Sequence, residues 1–381
     1  MAVLKTVNYP GFNRDIVSFG MVHDVVVDGD QARLQLGVAS TDEEQKAKLA
    51  SAVKAALIDQ LPLSSVEVEI VPPKPRGGNG PAAGPAGPTV GQSPIPGVKY
   101  TIAVASGKGG VGKSTVSVNL AAAMTLSGAK VGILDLDIYG PSLPMIMGVE
   151  EQPAMNAEQK IIPLERHNMA VMSFGLISGN QAPTIWRGPM VAKMTQQFFD
   201  DVAWGELEVL VIDLPPGTGD IQLTLVQRLA LTGAVIVTTP QKLALLDVRK
   251  GADMFAKVNT PVLGVVENMS SLPLRGVVKD AQGQVVPGAT LEFEGLGAVS
   301  SVTGDEQGRF HVDVDIFRSG GGEEESKRLG VPLLGSVPLW PELVVASDSG
   351  EPYVLQHPDD LVGREFRRIA DALLSMIRGM S

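Results

Sequence analysis

Thr101-Ile-Ala-Val-Ala-Ser-Gly-Lys-Gly-Gly-Val-Gly-Lys-Ser-Thr115 is the stretch that decides the fold. Its first residues form an apolar run of strand type, and Thr115 to Met124 is helix-like. Between them, Gly107 to Ser114 fits the pattern GxxxxGK[ST] in the context it needs, after a strand and opening a helix. Glycines let the backbone turn tightly enough for several N–H groups to point at phosphate oxygens, and the helix adds the positive end of its dipole. On this pattern Gly107, Lys108, Gly109, Gly110, Val111, Gly112, Lys113, Ser114 and Thr115 cradle a nucleoside triphosphate. Lys113 is expected to neutralise the β- and γ-phosphates, and the Ser114 hydroxyl to hold Mg²⁺. The pattern does not call for a lysine at position 108.

Outward from this stretch, apolar strand candidates recur at 131–136, 170–174, 209–214, 234–238, 262–266 and 333–337, with helical stretches between most of them. Near-continuous apolar strands joined by helices imply an α/β fold, a doubly wound and mostly parallel sheet covered on both faces. Two strands end in carboxylates: Asp135 and Asp137 after one, Asp213 after another. Such groups lie in the crevice at the C-terminal strand ends, where ligands bind in open parallel sheets. Asp213 has the apolar-run-plus-Asp form of a residue that holds Mg²⁺. Asp135 is expected near the metal, Asp137 beside the attacking water, and Gly217 where backbone approaches a γ-phosphate.

The rest of the 381 residues divides by composition. Residues 1–72 read as a small α/β domain: Gln31 to Val38 and Val66 to Val71 alternate like strands, and Glu43 to Leu61 has helical spacing. Residues 73–98 are dominated by Pro, Gly and Ala and read as a linker spanning roughly 25–30 Å. Residues 99–381 form the nucleotide-binding domain, interrupted at 271–315 by a small all-β insertion with β-turns at Asp280-Ala-Gln-Gly283 and Asp305-Glu-Gln-Gly308. The insertion resembles carboxypeptidase-regulatory-like β-sandwich modules over some forty residues.

A net charge of −11 without a long basic run argues against nucleic acid as partner. No apolar window is long enough to span a membrane, and Met1 to Val7 lacks the layout of a signal peptide, so a cytoplasmic location is expected. The chain has no cysteine, which excludes disulfides, thiolate catalysis and Cys-ligated metal, and its four histidines are scattered. At the C-terminus, Leu361, Phe366, Ile369, Leu373 and Ile377 form an apolar stripe suited to core packing or to an anionic bilayer.

Lys108 to Thr115 resembles the deviant P-loop of the family that contains MinD, ParA and the nitrogenase iron protein. Asp135-Leu-Asp-Ile-Tyr-Gly-Pro-Ser142, Ile185-Trp-Arg-Gly-Pro-Met190, Asp213-Leu-Pro-Pro-Gly-Thr-Gly-Asp220, Val266-Glu-Asn-Met-Ser270, Gly320-Gly-Gly322 and Val331 to Pro338 look like its Mrp/ApbC branch. Residues 1–72 look like the small domain that precedes many such ATPases. The resemblance implies ATP as nucleotide, slow hydrolysis, and a homodimer in which Lys108 reaches the partner's phosphates. It also implies that Asn268 hydrogen-bonds adenine, and that the protein delivers iron–sulfur clusters to protein clients. It assigns no role to Trp186 or Arg187. Members that carry clusters place Cys-x-x-Cys shortly after the Val-Glu-Asn-Met-Ser segment, and often a Cys near Ser40. Here the β insertion follows that segment and the chain has no cysteine, so direct Cys ligation of a cluster is not possible. An adaptor that binds a client through the insertion and a MinD-like membrane-positioning ATPase are the alternatives.

Overall fold

The computed structural model describes residues 3–7, 22–28, 30–37, 43–61, 64–71, 93–138, 140–178, 195–294, 301–317 and 320–380. Trp186, Arg187, Tyr139, Ser40 and linker residues 73–92 lie outside the described residues. The chain divides into two units, Met1–Ala83 and Gly84–Ser381.

Among its described residues the first unit holds a three-stranded sheet, β1 (Val22–Asp28), β2 (Gln31–Gly37) and β3 (Ser65–Val71), in that spatial order. β1 and β2 pair antiparallel, while β2 and β3 pair parallel across the Glu43–Gln60 helix. Alternation in β2 buries Ala32, Leu34 and Leu36 on one face, where Leu49, Val53 and Leu57 of the helix and Leu4 meet them.

Among its described residues the second unit has a main sheet of eight strands: β4 (Val98–Ala105), β5 (Val131–Asp135), β6 (Leu164–Arg166), β7 (Met169–Ser173), β8 (Leu207–Asp213), β9 (Gly233–Thr238), β10 (Val262–Asn268) and β15 (Leu333–Val337). Their order is β15-β10-β9-β4-β8-β5-β7-β6, and every neighbouring pair is parallel except β6 with β7. β5 is entirely buried and β4 is buried from Tyr100 onward. This fits strands covered on both faces: Ile102 and Val104 pack into one core layer, Ala103 and Ala105 into the other. β8 sits between β4 and β5, in register Val104↔Asp213 and Asp135↔Asp213. The P-loop and the two carboxylate-bearing strand ends are therefore brought side by side.

The Leu361–Arg378 helix carries the C-terminal apolar stripe. Phe366, Ile369, Leu373 and Ile377 are buried in the same core layer as Val116 and Leu120 of the P-loop helix, and Leu361 alone of the five is exposed. Core packing uses the stripe, so it is not available to a bilayer. Ser93 to Gly97, assigned by composition to the linker, pack on the second unit: Ser93 bridges Leu229, and Ile95 is buried.

The insertion contributes β11 (Leu272–Val277), β12 (Thr290–Glu292), β13 (Ser301–Thr303) and β14 (Arg309–Val314). β11 pairs antiparallel with β14, and β12 with β13. Its two turns are built alike. Asp280 Oδ1 accepts N–H groups from Gln282 and Gln284, and Asp305 Oδ1 accepts them from Gln307 and Arg309. These are the side-chain-to-backbone bonds that make Asp a turn residue.

Candidate functional site

The loop after β4 turns through Gly110 and Gly112, at φ 79° and 77°, a conformation that a side chain at either position would strain. Gly112 N-caps the Lys113–Leu126 helix, so Lys113 and Ser114 occupy its first turn, two residues earlier than the sequence indicated. Lys113 Nζ lies 2.7 Å from Asp213 Oδ1, with both side chains buried. Ser114 Oγ donates to Asp213 Oδ2 at 2.5 Å, and Ser117 Oγ to Asp213 Oδ1 at 2.6 Å. One buried carboxylate thus carries three partners from a single helix face, a pattern set by the i, i+1 and i+4 positions of Lys113, Ser114 and Ser117. Ser117 was not singled out from the sequence; its place one turn after Lys113, on the side facing β8, was the available signal.

Asp135 sits at the end of β5, fully buried beside Asp213. Its oxygens accept N–H groups from Asp137 at 2.8 Å and Leu143 at 3.2 Å, and the Ser173 hydroxyl at 3.1 Å. Burial, and then repulsion from Asp213, raise its pKa to about 7, against the lowering pull of those N–H groups and of Lys113. Asp135 therefore fastens the turn that follows β5. Asp137 lies at the head of that turn, and its carboxylate accepts the Gly140 N–H at 3.3 Å.

Three more sequence-selected residues meet the loop. Gly217, at φ 100°, donates its N–H to Ser106 O at 2.9 Å, tying the segment after β8 to the root of the loop. Asn268, at the end of β10 and 6% exposed, donates from Nδ2 to Val111 O at 2.9 Å. A Cβ at Gly112 would overlap that nitrogen, so the carboxamide and the loop are packed together. Lys108 Nζ donates to Gln241 Oε1 at 3.1 Å. Gly109 faces Pro216, and Gly107 packs so closely on Asp247 that a Cβ there would overlap it.

Gln241, Asp247 and Glu267 were missed from the sequence. Gln241 N-caps the Lys242–Lys257 helix just past β9, a strand end where ligands of parallel sheets collect. The neighbouring Thr239 hydroxyl is buried and has no hydrogen-bond partner among the described residues. Glu267 is buried, and its carboxylate accepts the Gly322 N–H at the start of the Gly321–Leu329 helix. Burial raises its pKa against that hydrogen bond.

The donor set near Lys113 consists of a hydroxyl and a carboxylate, hard oxygens that suit Mg²⁺. Among the described residues no three His, Cys, Asp or Glu side chains group to hold a metal. With no cysteine in the chain, the thiolates that hold an iron–sulfur cluster are missing.

Comparison with known proteins identifies the family. Residues 97–281 and 277–374 match the ParA family described as NUBPL iron-transfer P-loop NTPase, and residues 1–70 match an iron–sulfur cluster assembly protein family. A protein of Deinococcus radiodurans named iron–sulfur cluster carrier protein is 38% identical over 380 residues, covering 99% of this chain and 94% of its own. A nucleotide-binding protein of Archaeoglobus fulgidus, solved in complex with ADP, is 34% identical; the match covers 67% of this chain and 88% of that one, with a TM-score of 0.50. The cell-division ATPase MinD of Pyrococcus furiosus shares the fold, at 20% identity and a TM-score of 0.50 over 73% of this chain and 99% of its own. The chain belongs to the iron-transfer P-loop NTPase family, together with the iron–sulfur cluster carrier proteins.

Proposed function

We propose that this protein is an ATP-operated switch in iron–sulfur cluster delivery that does not hold a cluster on its own side chains. The observation that carries the reading is the buried group of Lys113, Ser114, Ser117 and Asp213 at the mouth of the P-loop. The Archaeoglobus relative's complex with ADP supports it.

In this reading the loop N–H groups from Gly109 to Ser114 receive the phosphates. Lys113 exchanges its Asp213 partner for the β- and γ-phosphate oxygens. Ser114 and Asp213 would hold Mg²⁺, which neutralises charge developing on the transferred phosphoryl group. Asp137 orients the attacking water. Hydrolysis is slow and needs a homodimer, with Lys108 leaving Gln241 to reach the partner's phosphates. The protein works in the cytoplasm with iron–sulfur assembly proteins and apoprotein clients.

Anaerobic reconstitution with iron and sulfide, alongside titration with Mg·ATP, tests both halves. The expected result is nucleotide bound by the wild type and lost in Lys113→Ala, with no stable cluster on the pure protein. A stoichiometric cluster would contradict the reading.

A second reading, an adaptor that captures a protein client, is favoured by the folded β unit directly after β10. Replacing 271–315 by a short loop should abolish client capture and spare ATP binding; capture that survives the deletion would sink it.

A further inference from the structure

We propose that the β insertion is read by the nucleotide site: the state of the P-loop sets the local stability of its paired strands, 272–277 and 309–314, and so the surface they offer. The inference deepens the switch reading and rests on it.

Both stems of the insertion stand on supports of the P-loop. The outgoing stem begins at Asn268, whose carboxamide holds Val111 O at 2.9 Å and packs on Gly112. Two residues later, Ser270 donates its N–H to Val337 O at 3.0 Å, and Ser271 O accepts the Leu339 N–H at 2.7 Å. β11 starts at Leu272, four residues beyond the contact with the loop. No flexible spacer separates the loop's carbonyl from the first strand of the insertion.

After β14, past residues 318–319 outside the described residues, the chain from Gly320 onward meets the other side of the same loop. Gly321 packs where a Cβ would lie 2.9 Å from Pro240 O and from Leu245 Cδ1. Gly322 donates its N–H to Glu267, the neighbour of Asn268. Next to Pro240, Gln241 accepts Lys108 Nζ at 3.1 Å. The Lys242–Lys257 helix that carries Leu245 also carries Asp247, against which Gly107 packs. Its Arg249 pairs with the buried Glu325 of the Gly321–Leu329 helix at 3.2 Å. The loop is thus gripped at Val111–Gly112 by one stem and at Gly107–Lys108 through the other.

Close-packed contacts of this kind transmit displacement and do not absorb it. Phosphates that take up the loop's N–H groups and draw Lys108 from Gln241 act on both grips at once. The insertion is suited to respond. It has two short ladders, and among its described residues only Gly304, Gly308 and Val314 are buried. Few buried contacts mean a low cost of local opening. By linkage, a nucleotide that changes the opening equilibrium of the insertion by some factor is itself bound tighter or weaker by the same factor.

Hydrogen exchange on the full chain, with and without saturating Mg·ADP, tests the inference, with Arg249→Met as the second variant. In that variant Glu325 keeps Arg328 as partner, and no residue of the proposed nucleotide site changes. In the wild type we expect protection of 107–113 together with a change of about fivefold or more in exchange over 272–277 and 309–314, the lower end of ordinary coupling. In Arg249→Met, loop protection should persist while the change over 309–314 shrinks. A protected loop with unchanged exchange in the insertion overturns the proposal, as does an Arg249→Met response equal to that of the wild type. A loop left unprotected by nucleotide overturns the switch reading and this inference with it.

Discussion

Lys113 and Asp213 form an ion pair of 2.7 Å in which the side chains are only 6% and 1% exposed. A pair so placed is weak evidence for stability, but breaking it is costly because the remaining charge stays buried. Asp213→Ala should therefore lower unfolding free energy by about 3–5 kcal/mol, seen as a lower denaturation midpoint. The double variant Lys113→Met/Asp213→Ala should recover a large part of that loss, since neither charge is then left alone. Additive losses would mean that the two side chains do not act as a pair.

Asp135 titrates near neutrality, with a pKa raised to about 7, first by burial and then by Asp213. Its folded pKa exceeds the ordinary 3.8, so the folded state binds the extra proton. The sign follows from linkage: between about pH 4 and 7 this group lowers stability as pH rises, and above 7 its effect is constant. The carboxyl ¹³C shift of Asp135 should titrate with a midpoint near 7, and Asp213→Asn should move that midpoint down. A midpoint near 4 in the wild type would contradict the assignment.

Removing the carboxamide in Asn268→Ala leaves Val111 O without its bond and opens space beside Gly112. A lost hydrogen bond with a stranded buried partner costs about 1–3 kcal/mol. We expect nucleotide affinity to fall by roughly ten- to a hundredfold, with the fold intact by circular dichroism. Unchanged affinity would show that the loop keeps its shape without this contact.

The C-terminal helix belongs to the core. Phe366→Ala should cost about 3–5 kcal/mol, as expected for truncating a fully buried aromatic side chain. The wild type should stay in the supernatant with anionic liposomes, with or without ATP. Co-sedimentation would mean that the helix can leave its place beside the P-loop helix.

Much of the site could be read along the chain because its parts are contiguous. Glycine spacing, the strand before and the helix after define the P-loop, and apolar runs ending in Asp mark β5 and β8. Contacts between distant segments could not be read this way. Nothing in the local pattern pairs Lys108 with Gln241, 133 residues away, or Glu267 with Gly322, 55 residues away. Asp135 reads as a metal neighbour because a strand-end carboxylate usually faces ligand; that its oxygens also accept two N–H groups of the following turn and the Ser173 hydroxyl is a contact the local pattern does not show. β1 was overlooked because Val22–Asp28 does not alternate cleanly. Ser93 to Gly97 read as linker because Pro and Gly dominate there, although one apolar residue, Ile95, is enough to anchor the segment.

Calorimetric titration of Mg·ATP into the wild type and into Lys113→Ala reads the nucleotide site itself. One nucleotide per chain is expected in the wild type. Lys113→Ala should weaken binding by at least about tenfold, the loss of one charge-assisted phosphate contact, while remaining folded. No binding to the wild type, or equal binding to a folded Lys113→Ala, would mean that this loop is not an ATP site worked by Lys113.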